Sequence, residues 1–192
     1  MATADALEAP QVDPLDIETP DGFELLDGRL VEKTVGKDAS QVATNIVGEL
    51  YIHCKATRAG TPLQGDTAFR CFPKRKRHAR KPDVSFIRRE RMEDIKPGPG
   101  DFPIRPDLVV EVISPQEYTA VTNAKIRDFR SVGVPLIWVI DPENREATIY
   151  TPESIRIIGE DDELPVGDVL PGFRLRLGDV LLPAPATQAD VS

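Results

Sequence analysis

Two apolar runs constrain this chain more than any other feature: "DLVVEVIS" at 107–114 and "VPLIWVIDP" at 134–142. Each is short, rich in β-branched residues and apolar on both faces, the pattern of a strand buried inside a sheet. The segment between them, "PQEYTAVTNAKIRDFRSVG", has helical character. Pro115 suits a first turn and Gly133 a C-terminal cap. Buried strand, helix, buried strand reads as a right-handed parallel crossover.

The other segments add antiparallel pieces. "GFELLDGRLVEKT" reads as a hairpin turning at "DG". "ASQVATNIVGELYIHCKAT" carries Val42, Ala43, Ile46, Val47 and Leu50 at helical spacing, with Gly60 and Pro62 as stop signals beyond it. "TAFRCF" and "PDVSFIRRE" read as strands, "KPGPGDFPIRP" as an irregular loop, and "REATIYTPE" as the hairpin partner of the second apolar run. "SIRIIGE" and "FRLRLGDVL" read as later, exposed strands. The expected fold class is therefore α/β or α+β, a mixed sheet with one helix on each side.

With 192 residues, one domain with a sizeable core is expected over 16–182, flanked by disordered tails at 1–15 and 183–192. The acidic opening lacks a secretory h-region, no apolar run is long enough to span a membrane, and Cys54 and Cys71 form no CxxC, so a reducing cytoplasm is the expectation. The net charge of −8 argues against a general nucleic-acid coat. Against that background "PKRKRHARKPD" stands out, with Lys74, Arg75, Lys76, Arg77, Arg80 and Lys81 around His78. It is either a solvated loop or a clamp for phosphates. Two isolated histidines, His53 and His78, make neither a zinc site nor a triad, and "VGKDAS" is not a P-loop. Trp138 reads as core and Asp141 as the start of a turn.

The acids carry the chemistry. Asp83 follows Pro82 at the head of one strand, and Asp107 follows Pro106 at the head of another. Alternation puts Asp107, Val109, Glu111 and Ile113 on one face. A carboxylate inside an apolar strand needs a cation or access to water. Asp83 and Glu111 on neighbouring strands would suit magnesium, which takes one or two carboxylates and completes its shell with water and phosphate oxygens. Lys125, on the following helix and one turn before Phe129, could bring an ammonium beside such a metal. Taken alone, a lone lysine reads first as a surface lysine, and each acid as a structural one.

The order "PDVSF", "PDLVVEVIS", a helix with "K…F", then "GVPLIWVIDP" resembles the Uma family of restriction endonucleases, in the PD-(D/E)XK nuclease superfamily. "GFELLDGRLVEK" and "LPGFRLRLGDVL" are similar to it as well, so the likeness spans residues 20–182. The resemblance implies a restriction-endonuclease-like fold and Mg²⁺- or Mn²⁺-dependent hydrolysis of phosphodiesters, with DNA as the expected partner. Asp83 takes the place of the PD acid and Glu111 that of the second acid. Ile113 stands where the superfamily lysine belongs, and Lys125 on the next helix takes over that role. Phe129 replaces the usual tyrosine. Asp107 and Glu24 match recurrent family acids, Asp107 as a further metal ligand and Glu24 in support. Restriction-like nucleases often pair to cut both strands, so a homodimer is an expectation of the resemblance and not of any residue. The alternative is a non-catalytic nucleic-acid-binding or protein-interaction module on the same fold.

Overall fold

A computed structural model describes residues 18–33, 35–113 and 119–183. Strands β1 (Phe23–Leu26) and β2 (Arg29–Glu32) form a separate antiparallel hairpin. Helix α1 (Lys37–Thr57) follows, then β3 (Gly60–Gln64), β4 (Val84–Arg88), the one-turn helix α2 (Arg89–Met92) and β5 (Leu108–Val112). Helix α3 (Thr119–Ser131), β6 (Leu136–Asp141), β7 (Glu146–Tyr150) and β8 (Ile155–Gly159) complete the order. The main sheet runs β3-β4-β5-β6-β7-β8. Only the β5–β6 pair is parallel, in the register Leu108↔Leu136 to Val112↔Ile140, as the two apolar runs and their intervening helix require.

Alternation along these strands splits the core in two. Leu108, Val110, Val112, Trp138 and Ile140 point to the α1 side and meet Val42, Ile46 and Leu50. Val109, Ile137 and Val139 point the other way and meet Ile126 and Phe129 of α3, with Phe69 and Phe72. One helix therefore covers each face, and the fold is a mixed α+β sheet. Trp138 is fully buried and donates its indole N–H to the Pro165 carbonyl, a core role. Asp141 accepts the N–H groups of Glu143 and Asn144, which fixes the β6–β7 turn.

Several segments differ from the sequence reading. Helix α1 begins at Lys37, earlier than "ASQVA", and ends at Arg58 in a left-handed cap (φ 58°). Gly60 and Pro62 are not merely stop signals: they lie in β3, the sheet's edge, where a proline costs little because one flank needs no ladder partner. "TAFRCF" is not a strand, since Phe69 alone makes isolated bridges, to Arg80 and Phe102. "FRLRLGDVL" contains only the bridge Glu163↔Arg176 and a 3₁₀ turn at Leu177–Asp179. Its alternation is real, because Phe173, Leu175 and Leu177 are buried against the α1 side. It reflects half-burial without a strand partner. Of the expected tails, only Pro183 and none of residues 1–15 falls within the described residues, and Pro115 lies outside them too. Among the described residues, no helix is long and apolar enough to cross a membrane.

Candidate active site

Strand pairing sets Asp83 against Glu111. β4 and β5 pair antiparallel with Val84 opposite Val110, so the next step of the ladder places Asp83 opposite Glu111, on the same face. Two bonds lock that step: the Asp83 N–H donates to the Val110 carbonyl (3.1 Å), and the Val112 N–H donates to Asp83 Oδ2 (2.8 Å). The proline before Asp83 ends the loop there and leaves the carboxylate at the mouth of the sheet, with its side chain 10% exposed.

Lys125 reaches this face from α3. Its Nζ lies 2.6 Å from Glu111 Oε2 and 3.7 Å from Glu24 Oε1, with both partners buried. Phe129, one turn on, is fully buried in the same helix face, so the lysine stem is anchored in apolar packing. Glu24 comes from β1, which bonds to Ala79 in both directions. It accepts the Lys81 N–H on Oε1 (2.9 Å) and the Arg80 guanidinium on Oε2 (2.8 Å).

The charges are unequal in their comfort. Burial pushes the Glu111 carboxyl up to about 8; Lys125 opposes this and the Asp83 charge adds to it. Burial works against the Lys125 ammonium, but Glu111, Glu24 and Asp83 outweigh it and hold its pKa above the ordinary lysine value. For Asp83 burial is outweighed by Lys33, Lys125 and the Val112 N–H, so its carboxyl sits below the usual range. Glu24 is likewise lowered, with Lys125 and Arg80 overcoming burial. Glu111 is thus the acid least satisfied by the protein, and its Oε1 is buried without a hydrogen-bond partner. An orphaned buried carboxylate oxygen beside a second acid fits a cation. Among the described residues, no three His, Cys, Asp or Glu side chains group closely enough to hold a metal by themselves. The protein can therefore offer the Asp83–Glu111 pair, with the rest of a shell left to water and substrate.

Asp107 is not brought to this pair. It opens β5 at the strand's other end, roughly 13 Å along the strand from Glu111 by the rise per residue. There Arg91 binds it at 2.7 Å, Arg105 stands at 3.6 Å, and the Arg88 N–H donates to it. The basic segment divides. Lys74, Lys76 and Arg77 are exposed. Arg75 grips Asp27 (2.6 Å) and Asp128 (2.5 Å), and Arg80 bridges Glu24 and Asp128. Lys81 is fully buried and donates to the Pro20 carbonyl.

Two site residues escaped the sequence reading. Asp128 gathers Arg75, His78 and Arg80. Its signal was available, because it follows Lys125 by three positions and so shares its helix face. Lys33 lies 2.9 Å from Asp83 Oδ1. Nothing in its local sequence foretells that; the contact exists only once the hairpin has docked.

A six-stranded mixed sheet flanked by helices is the restriction-endonuclease-like class of fold. A family model described as "Uma2: Putative restriction endonuclease" matches residues 9–178, and the chain belongs to that family. Among solved structures, the fold is similar to one titled as a "putative nuclease belonging to DUF820" from Anabaena variabilis, at a TM-score of 0.73 and 21% identity. That match covers 85% of this chain and 92% of the other. No curated protein matches the sequence.

Proposed function

We propose that the protein is a divalent-metal-dependent endonuclease acting on DNA phosphodiesters. One observation carries the reading: Asp83 and Glu111 face each other across β4 and β5, with a buried, unpartnered oxygen on Glu111 and the Lys125 ammonium 2.6 Å from its other oxygen. Asp83 and Glu111 would hold Mg²⁺ or Mn²⁺. When bound, such an ion polarises the phosphate and lowers the pKa of a water for attack.

The chain's own residues supply the remainder. Lys125 keeps its proton because three carboxylates surround it, so it can donate to a phosphate oxygen as negative charge develops there. Glu24, fixed by Arg80 and the Lys81 N–H, stands 3.7 Å from that ammonium as a second acid beside it. The place left by Ile113 is thus served from α3, by a lysine whose head reaches the second acid. Lys74, Lys76 and Arg77 present exposed charge for the nucleic-acid backbone.

The test is nicking of supercoiled plasmid with Mg²⁺ or Mn²⁺, run beside a single-stranded RNA of similar length. Wild type should cut the plasmid; Asp83→Asn and Glu111→Gln should not, while remaining folded by circular dichroism. Salt-sensitive DNA binding with no cleavage and no Mn²⁺ affinity would instead establish a non-catalytic binding module.

A further inference from the structure

Of the two candidate ligands, one is open and one is closed. Glu111 Oε1 has no partner. Both oxygens of Asp83 are engaged: Oδ2 by the Val112 N–H and Oδ1 by Lys33, at 2.9 Å. Lys33 is held from a second side, donating to the Gly65 carbonyl at 3.1 Å. Its side chain is 9% exposed, so the contact is not a loose surface pair. A Cβ at Gly65 would stand 3.3 Å from both Lys33 Nζ and the Asp83 carbonyl, so the lysine head lies close against the backbone there. Lys125 is paired to Glu111 and Glu24, whereas among the described residues Lys33 forms its ion pair with Asp83 and donates to a backbone carbonyl, its charge also reaching Glu111 and Asp66.

A divalent ion on Asp83 would repel an ammonium that stands 2.9 Å from the same carboxylate in a partly desolvated site. We propose that Lys33 competes with the divalent cation for Asp83, so that its ammonium substitutes for the metal's charge in the metal-free protein and must turn away from Oδ1 as the metal enters. The Gly65 carbonyl gives the displaced ammonium a partner to keep. This rests on the reading of Asp83 and Glu111 as the metal pair. Lys33 is accordingly a positioning residue that sets the threshold of metal occupancy.

The experiment is titration of the full chain with MnCl₂ alone, without nucleic acid, followed by calorimetry and by the free-Mn²⁺ electron paramagnetic resonance signal. Lys33→Met, which keeps the length of the stem, should bind Mn²⁺ roughly tenfold more tightly, the size expected from removing a partly screened like charge. Lys33→Gln, a neutral variant that retains a donor for Gly65, should do the same. Lys33→Arg, which keeps the charge, should bind as wild type does. Thermal stabilisation by Mn²⁺ should rise in step in the two neutral variants. Equal or weaker Mn²⁺ binding by either folded neutral variant overturns the competition, and if Asp83→Asn still abolishes wild-type binding, that failure is confined to Lys33. Absence of Mn²⁺ binding in wild type and every variant overturns the metal pair itself, and this inference with it.

Discussion

Lys125 and Asp128, three residues apart on α3, do different work. Lys125 is the counter-charge of Glu111 and Glu24, and all three are buried. Lys125→Met would leave Glu111 alone against an apolar stem, since Glu24 keeps Arg80 and the Lys81 N–H. Breaking a buried pair from one side costs about 3–5 kcal/mol, so its urea midpoint at pH 7 should fall well below that of Asp83→Asn, which leaves Lys125 paired. Asp128 acts at one remove. Burial would raise its carboxyl, but the hydrogen bond from His78 and the Arg80 charge hold it down at about 2. A carboxyl depressed in the folded state contributes stability that is present above its unfolded value of 3.8 and lost as pH falls toward 2. Asp128→Asn should therefore lower stability at pH 7 by about 2 kcal/mol. The difference from wild type should shrink between pH 4 and pH 2 in urea melts at each pH. A constant gap across that window would mean that Asp128 stabilises through shape and not through charge.

At the level of elements, the hairpin and β3 show where sequence signals were legible and where they were not. "DG" was a readable turn, and Asp27 and Gly28 do adopt φ of 50° and 89°. Alternation in "DLVVEVIS" put Asp107, Val109, Glu111 and Ile113 on one face, but with both faces apolar it did not say which; in the fold Val109 meets Ile126 and Phe129, so that face is the one α3 covers. The pairing of Asp83 with Glu111 was foreseeable as neighbouring strands. The Glu24 and Lys33 contacts were not, since they depend on how a separate hairpin docks across Ala79 and Gly65. Gly60 was read only in part, for a related reason. As a stop signal it concerned only its own helix; in the fold its constraint comes from a strand distant in the chain. A Cβ at Gly60 would meet the Ile87 carbonyl at 2.2 Å and the Phe86 ring at 2.6 Å. Gly60→Ala forces backbone apart at the sheet edge and should destabilise by about 2 kcal/mol or more, read as a drop in thermal midpoint. Gly48, which has nothing within 4 Å of an added Cβ, gives the contrast: Gly48→Ala in the middle of α1 should stabilise by about 0.5–1 kcal/mol.

Across the whole molecule, net charge and local charge pull in opposite directions. The chain carries −8 overall, yet its densest run of cations lies next to the acids of the candidate site. The sequence could not divide that run, since a string of lysines and arginines looks uniform until the fold supplies internal acids for some of them. Glu24, Asp27 and Asp128 claim Arg75 and Arg80, and Lys81 turns inward. Lys74, Lys76 and Arg77 are the members left facing solvent. The two groups should therefore separate in experiment. Replacing Lys74, Lys76 and Arg77 together with alanine should leave the thermal midpoint within a degree or two of wild type, because exposed charges contribute little to stability. It should weaken DNA binding and flatten its dependence on salt. Each phosphate contact adds about 0.9 to the slope of log K against log salt, so losing three should lower the slope by about 2.7. Arg80→Ala should do the reverse, lowering the midpoint sharply by leaving Glu24 and Asp128 without their shared partner, with the salt slope of the folded fraction unchanged. If the triple variant binds DNA with the wild-type slope, the exposed half of the basic segment is only a solvated loop, and the nucleic-acid backbone is held by some other surface.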